Sequence, residues 1–376
     1  VTQAPPVVAW TIRTSLAAPF EQVKRIAVLR GGGLGDLLAA EPALRALAAR
    51  YPGAELTLLG KSAHAELLIA PRSAVSRVED LPPARGVRDD GVPDPMVTGA
   101  FIERMRDIRF DLAVQLHGGG RFSNPFLLLL GARHTVGMAT PDAVTLERTL
   151  PYQYHQHEVL RALEVVGLAG AAPASLEPLI DVRPDEHDRC WRFAPVGTGP
   201  LLAIHPGATD PRRRWPYEKF AAVAREAAES GARVVVVGDD SDREIAAAIV
   251  ASAGGGEDGA GSARIVSCAG RLSLPELAGL LAHADVLVAN DSGPRHLAQA
   301  LGVPTVSVYW IGNLVNAGPL SRAVHRVHVA WTTRCPVCHR DVTQESLPRC
   351  EHDVSFVADV PVRGVADDVA GFLGRS

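Results

Sequence analysis

Residues 25–46 read Arg-Ile-Ala-Val-Leu-Arg-Gly-Gly-Gly-Leu-Gly-Asp-Leu-Leu-Ala-Ala-Glu-Pro-Ala-Leu-Arg-Ala. The apolar run Ile26–Leu29 fits a buried strand, and from Asp36 onward Leu37, Ala40, Leu44 and Leu47 recur at helical spacing. Between them Gly31, Gly32, Gly33 and Gly35 form a flexible loop. Strand, glycine loop and helix together look like a cradle for a nucleotide phosphate. The literal patterns fail, however. The dinucleotide fingerprint started at Gly31 needs a glycine where the chain has Asp36, and the Gly-Lys-Ser/Thr of a P-loop is absent. A carboxylate at the mouth of such a loop repels phosphate. Asp36 is therefore either a helix cap or the sign that this loop does something else.

Working outward, 376 residues suit two domains of ordinary size, and 47% hydrophobic against 21% charged residues supply a large core. A net charge of −4 and 5% aromatic residues argue against a nucleic-acid partner. No apolar run reaches the roughly 18 residues that span a bilayer; Phe126–Leu130 stops at Gly131. The first twenty residues, with Pro5 and Pro6, do not read as a signal peptide. The expectation is a cytoplasmic enzyme, which five cysteines also fit.

The first half reads as repeated strand–helix units. Ala54–Leu59 is a strand, Ala63–Ile69 a helix, 71–95 a loop rich in Pro, Arg and Asp, and Phe101–Ile108 a helix. Asp111–Leu116 is a buried strand running into His117-Gly-Gly-Gly-Arg121, and His155–Leu168 is helical. Prolines 173, 178, 184, 195 and 200 mark a boundary, which divides the chain into residues 1–188 and 189–376. The pattern then restarts. Strands at Leu201–Ile204, Arg233–Val237, Val286–Ala289 and Thr305–Val308 alternate with helices at Tyr217–Glu229, Asp242–Ala251, Leu274–Ala282 and Pro294–Leu301, with a Gly-rich loop at 254–261. Such alternation predicts parallel sheets, hence two Rossmann-like α/β domains with ligands at the carboxyl ends of the strands, in a central cleft.

Three further loops carry candidate chemistry. Asp291-Ser-Gly-Pro-Arg-His296 follows a strand and opens a helix. Ser292 is placed to cap that helix, Gly293 admits a ligand to the backbone, and the helix start suits a diphosphate. Asp291 is placed to accept from sugar hydroxyls. His205-Pro-Gly-Ala-Thr-Asp-Pro-Arg-Arg-Arg-Trp215 follows another strand and brings the guanidinium groups of Arg212, Arg213 and Arg214, whose forked donors match phosphate oxygens. Asp240 or Asp242 is placed to bind a ribose or to cap a helix. A third cluster, Cys335-x-x-Cys338-His339 with Cys350-x-His352, offers four ligands for zinc. Lacking a second C-x-x-C, it reads more readily as free or oxidisable thiols, and Cys190 and Cys268 read as buried thiols.

Together these stretches resemble glycosyltransferase family 9, the ADP-heptose:lipopolysaccharide heptosyltransferases. The resemblance rests on Arg25–Leu29 with Gly35-Asp36 and Pro42, on His205-Pro-Gly-Ala with the later Arg-Trp-Pro, on Asp291-Ser-Gly-Pro with His296-Leu-Ala and Gly302-x-Pro304, and on the cysteine-bearing tail. It implies the GT-B architecture, with the acceptor in the first domain and the nucleotide sugar mainly in the second. It also implies an inverting transfer that needs no metal or other cofactor, from a donor expected to be ADP-heptose. Asp36 would be the general base. His205, Gly207, Arg213, Arg214, Asp240, Asp291, Ser292, Gly293 and His296 would hold the donor, and Gly33, Gly35, His117 and Arg121 the acceptor. Arg213 stands where the family often has a lysine. The acceptor would be a glycan or a small molecule, and an enzyme of this kind would be cytoplasmic, with peripheral contact at the inner membrane face as a further expectation. The rival readings are a nucleotide-sugar epimerase of the same architecture and a nucleotide-sugar-binding protein without turnover. A dehydrogenase is disfavoured by the missing dinucleotide fingerprint.

Overall fold

The computed structural model describes residues 16–68, 72–195, 197–256, 264–344 and 347–374. In the first lobe β1 (Arg25–Leu29) leads into α1 (Leu34–Arg50), β2 (Glu55–Gly60), the short α2 (Ala65–Leu68), β3 (Arg77–Asp80), α3 (Pro95–Ile108), β4 (Leu112–Gln115), α4 (Ser123–Leu128), β5 (His134–Ala139), β6 (Arg148–Pro151) and α5 (Glu158–Gly167). The second comprises α6 (Pro184–Cys190), β7 (Leu201–His205), α7 (Tyr217–Glu229), β8 (Arg233–Val236), α8 (Arg243–Ser252), β9 (Ile265–Ser267), α9 (Leu274–Ala282), β10 (Val286–Asn290), α10 (Gly293–Ala300), β11 (Thr305–Trp310), α11 (Ile311–Ala317), β12 (His325–Ala330) and α12 (Val362–Leu373). Residue 69 of the expected second helix and residues 257–261 of the expected Gly-rich loop lie outside the described residues.

Each lobe contains a six-stranded sheet, ordered β3-β2-β1-β4-β5-β6 and β12-β11-β10-β7-β8-β9, and every strand pair is parallel. The two orders are the same doubly wound pattern. In each, the chain reverses direction across the sheet next to its first strand: between β1 and β4, and between β7 and β10. Ligands of open parallel sheets bind outside the carboxyl ends of the strands at this point. The glycine loop 31–36 and the loops 117–121, 205–215 and 291–296 follow β1, β4, β7 and β10. No helix among the described residues is long and apolar enough to cross a membrane.

Central strands are continuous apolar runs because helices cover both of their faces; Ile26–Leu29 and Leu201–Ile204 are fully buried. The edges are different. Residues 77–80, read from sequence as loop, form the half-buried edge strand β3, Arg-Val-Glu-Asp, which alternates too weakly to announce itself. Pro184, read as part of a linker, occupies the first turn of α6, where a missing N–H costs nothing.

The lobes share a core. One apolar cluster runs from β1, α1 and α5 through Ile180 and Cys190 into α9 and α10. The connecting segment is tied to both sides: Ile180 N–H donates to Ala300 O (2.9 Å) and Leu179 N–H to the buried Glu41 carboxylate (3.0 Å). Arg72 of the first lobe forms a buried ion pair with Glu186 of α6, which packs on α9. Removing one member of such a pair strands the other charge in the interior. Arg72→Ala is therefore expected to lower the unfolding free energy by about 3 kcal/mol, measured by urea denaturation. Replacing both members by Met should recover most of that loss.

Candidate active site

A cleft of about 900 Å³ lies between the lobes. One wall is the start of α1 with Asp36 and, from the first lobe, Tyr154 and Glu158; the other is the start of α10 with the loops after β7 and β8. A smaller cavity of about 250 Å³ beside α7 and α12 has Glu226 as its sole charged lining residue and offers no chemistry.

Asp36 occupies the third position of α1. Gly33 N–H donates to its Oδ2 (2.9 Å), so the carboxylate does cap the helix. Its other oxygen accepts from Arg30 Nη2 (3.1 Å), and the same nitrogen donates to Glu158 Oε2 (2.9 Å). Arg30 is held in turn by the carbonyls of Asp36 and Leu116. One buried guanidinium thus serves two carboxylates. The Asp36 side chain is 49% exposed, low in the cleft. Desolvation there pushes its pKa up, but Arg30, the Gly33 amide, His117 and His296 together bring it below the ordinary aspartate value. Asp36 is ionised at neutral pH and each oxygen accepts one protein donor, which leaves it accessible to a hydroxyl.

The glycines before it have a local cause. A Cβ on Gly32 would lie 2.4 Å from Asp36 Oδ2, and one on Gly35 would lie 2.8 Å from His296 Cδ2. Gly35 is therefore small because the second lobe's histidine seats against it. Gly33 is exposed, lines the cleft and leaves room there.

On the opposite wall Asp291, at the end of β10, is almost completely buried. Its Oδ1 accepts from His296 Nε2 (3.2 Å) and its Oδ2 from Arg213 Nη1 (2.9 Å) and Asn313 Nδ2 (2.6 Å). Burial pushes its pKa up; His296, Arg213 and Asn313 more than reverse this and hold it far below the carboxylate range. With three protein donors, Asp291 organises the wall instead of presenting a free carboxylate. His296 Nδ1 lies 3.1 Å from Arg295 Nη1. Arginine only donates, so Nδ1 accepts and the proton sits on Nε2, aimed at Asp291. Burial lowers the His296 pKa and Arg295 adds to this, outweighing Asp291 and Asp36, so the ring is neutral at pH 7. Arg295 itself is fully buried over the Tyr309 ring, with Nε and Nη2 unpartnered.

Ser292 is the N-cap of α10 but its hydroxyl does not cap it; Oγ pairs with His205 Nδ1 (2.9 Å), whose Nε2 faces Asp242 (3.4 Å). The amides at the start of α10 are left for a ligand, with Arg213 and Arg214 beside them. Arg214 Nε donates to Ala208 O (2.9 Å). A cluster of donors at a helix start suits an anion. Leu272, Leu274 and Leu277 add apolar surface to the lining, with Ser273 among them.

Other expected residues lie elsewhere. Asp240 is 82% exposed, paired with Arg243, and does not line the cleft, whereas Asp242 does. Gly207 sits behind the wall against Asp242. His117 is half-buried near Arg30 and Asp36, with Nδ1 unpartnered, and Arg121 is 65% exposed beside Asp142; neither lines the cleft. His157, near the start of the helix expected at 155–168, caps α5 through Nδ1 and donates from Nε2 to Gly318 O (2.6 Å), strapping the lobes together. Glu158, Tyr154 and Asn313 went unnoticed because no motif surrounds them. The one sequence signal was Glu158's place in the first turn of a helix. Asp291→Asn is expected to lower stability at pH 7 by about 2 kcal/mol, because Arg213 loses its anion. Its folded pKa lies below the unfolded one, so the Asp291 contribution is complete above about pH 4 and fades as the pH falls. The stability gap between variant and parent, followed by denaturation across acid pH, should therefore shrink on acidification.

The geometry agrees with comparisons to known proteins. The family model for glycosyltransferase family 9 (heptosyltransferase) matches residues 98–346. Lipopolysaccharide heptosyltransferase 2 of Escherichia coli K12 is 25% identical over 306 residues, covering 76% of this chain and 82% of that one. The solved structure of the E. coli ADP-heptose lps heptosyltransferase II superposes with a TM-score of 0.70 at 21% identity, covering 94% and 99% of the two chains. A dodecameric iron-containing heptosyltransferase, TibC, superposes with a TM-score of 0.55 at 15% identity, covering 95% and 78%. The two doubly wound lobes are the GT-B fold, and with the family model spanning more than half of its length the chain belongs to glycosyltransferase family 9, the heptosyltransferases.

Proposed function

We propose that the enzyme transfers heptose from ADP-heptose, with inversion and without a catalytic metal, to a hydroxyl of a lipopolysaccharide-core acceptor. The observation that carries this is an accessible, ionised Asp36 on one wall of the cleft and a donor-rich helix N-terminus with two arginines on the other. Inversion by single displacement needs this opposition. A base on one side takes the acceptor's proton as its oxygen attacks the anomeric carbon, and the diphosphate leaves toward positive charge on the other. The amides of α10 with Arg213 and Arg214 supply that charge. Leu272, Leu274 and Leu277 offer the apolar surface an adenine needs. The relatives' names, lipopolysaccharide heptosyltransferase and ADP-heptose lps heptosyltransferase, support heptose, ADP and lipopolysaccharide.

Asp291 and His296 act as positioning residues: they hold Arg213 on the donor side and seat α10 against Gly35. Gly33 and Glu158 line the acceptor side. Work at the cytoplasmic face of the inner membrane suits the first lobe, where Met96 and Val97 at the start of α3 and Leu128 and Leu129 at the end of α4 are exposed, with Arg104 and Arg109 on the same lobe.

A panel of ADP-, GDP- and UDP-sugars, tested for binding and for transfer to heptose-deficient lipopolysaccharide, tests the reading. ADP-heptose should bind best and be consumed only with acceptor. Consumption without acceptor would point to an epimerase or hydrolase instead. Asp36→Asn is expected to lower kcat about 10³-fold while leaving donor binding within a few-fold, as read by calorimetry. Full turnover in that folded variant would remove Asp36 as the base. Arg30→Gln takes away the main charge lowering the Asp36 pKa. Activity needs the ionised form, so the acid limb of kcat/KM should move to higher pH in this variant.

A further inference from the structure

Between β12 and α12, the described residues of 331–354 contribute Cys335 and Cys350 alone to the buried apolar side chains. Trp331, Val337, Leu347 and Val354 are all exposed, Trp331 by 73%. Yet the backbone of this segment is tightly folded. Arg334 and Asp341 pair as an isolated antiparallel bridge, Cys335 N–H donates to Arg340 O (2.9 Å), His339 N–H donates to Cys335 O (2.9 Å), and His339 takes a left-handed φ of 58°. A non-glycine residue in that region is strained unless its surroundings impose it. The turn aims the thiols of Cys335 and Cys338 toward a second strand of chain carrying Cys350 and His352. Their four ligand atoms all lie within 4.8 Å of one another, and Cys335 Sγ is 3.8 Å from His352 Nδ1. Tetrahedral coordination with ordinary zinc bond lengths puts such atoms about 3.6–3.8 Å apart. None of the three cysteines is in a disulfide. The lack of a second C-x-x-C made free thiols the readier expectation from sequence; the fold brings the four candidate ligands named there within reach of one another.

We propose that Cys335, Cys338, Cys350 and His352 bind one tetrahedral metal ion, zinc by the character of a Cys₃His donor set. The ion is structural. Three thiolates and one imidazole close its coordination, and the thiol protons leave to solvent on binding. It takes the place of an apolar core in this stretch, joining positions 12–17 residues apart, and so fixes a wall of the cavity beside the cleft. Cys350 and Arg349 line a cavity of about 470 Å³ that shares Tyr154, Arg213 and Asn313 with the main cleft. The segment is also bonded to the arginine loop: Phe356 N–H donates to Arg212 O (2.7 Å) and Ser355 Oγ to Arg214 O (2.6 Å). Losing the ion would therefore loosen the arginines on the donor side.

The full chain, purified without metal-affinity resin or added metal, should contain about one zinc per molecule by elemental analysis. Cys338 is exposed and would react quickly as a free thiol. In reduced, untreated protein it should resist iodoacetamide, and chelator treatment should make Cys335, Cys338 and Cys350 all alkylatable, read by peptide mass. Cys338→Ser, the substitution least disruptive to packing, should weaken metal retention about 10–100-fold. Less than about a tenth of an equivalent of any metal in folded protein, rapid labelling of Cys338 before chelation, or full zinc in Cys338→Ser would each overturn the site. One equivalent of iron with thiolate-to-iron absorption would keep the site and overturn the choice of zinc.

Discussion

Two helices, α1 from one lobe and α10 from the other, pack together beside the cleft, and Gly35 of one seats against His296 of the other. α1 can approach only because residue 35 has no Cβ. His296 can serve as a fixed surface only because both of its nitrogens are committed, one to Arg295 and one to Asp291. Asp291 in turn fixes Arg213 and Asn313. A single chain of contacts therefore runs from the backbone beside Asp36 to a guanidinium on the anion-binding wall. Rotation of one lobe against the other would move the carboxylate and the arginine relative to each other. The Arg72–Glu186 pair, the His157–Gly318 bond and the threaded linker all oppose such rotation.

The electrostatics follow from the same arrangement. Each wall pairs one buried charge with more exposed partners of opposite sign: Arg30 with Asp36 and Glu158, and Asp291 with Arg213. Buried pairs of this type contribute little net stability, since desolvation offsets most of the attraction. Their value is positional. With its carboxylate already satisfied, Asp291 holds a cation where it cannot swing away. Arg30, tied also to the Leu116 carbonyl, keeps Asp36 ionised without covering it.

How much of this was legible in the sequence depended on which faces a residue buries. Central strands such as Val286–Asn290, apolar up to the final Asn, were found to within a residue. Edge strands were not: β3, β6 and β12 are largely half-buried, carry Arg, Glu or His, and have no periodicity strong enough to separate them from loop. The loops at the strand ends were found because glycine, proline and charge cluster there. Their internal wiring was hidden. The sequence suggested Asp291 as a ligand for sugar hydroxyls, but which donors reach it depends on the crossing of β10 with the loops after β7 and β11. Asp240 and Asp242 looked equivalent from spacing; only the turn after β8 decides that one faces the cleft and the other solvent. Cys350 and His352 could be named from sequence as partners of the cysteine pair, but the chain reversal that brings them to it is encoded by no local pattern.

In the proposed transfer, the state of Asp36 bears on how a weak base can suffice. With its pKa held low, it is a poor proton acceptor toward a free alcohol. An attacking hydroxyl, however, becomes acidic as its oxygen gains bonding to the anomeric carbon, so the proton need move only late in the displacement. What the site must then guarantee is an ionised carboxylate at the right place, more than a strong one. Arg30 provides ionisation and the Gly33 amide provides place, each using one lone pair of the carboxylate. Tethering Arg30 to Glu158 matters for the same reason. A guanidinium free to follow Asp36 would strengthen its grip as the carboxylate moved toward substrate, whereas one held by a second carboxylate lets the contact lengthen at small cost.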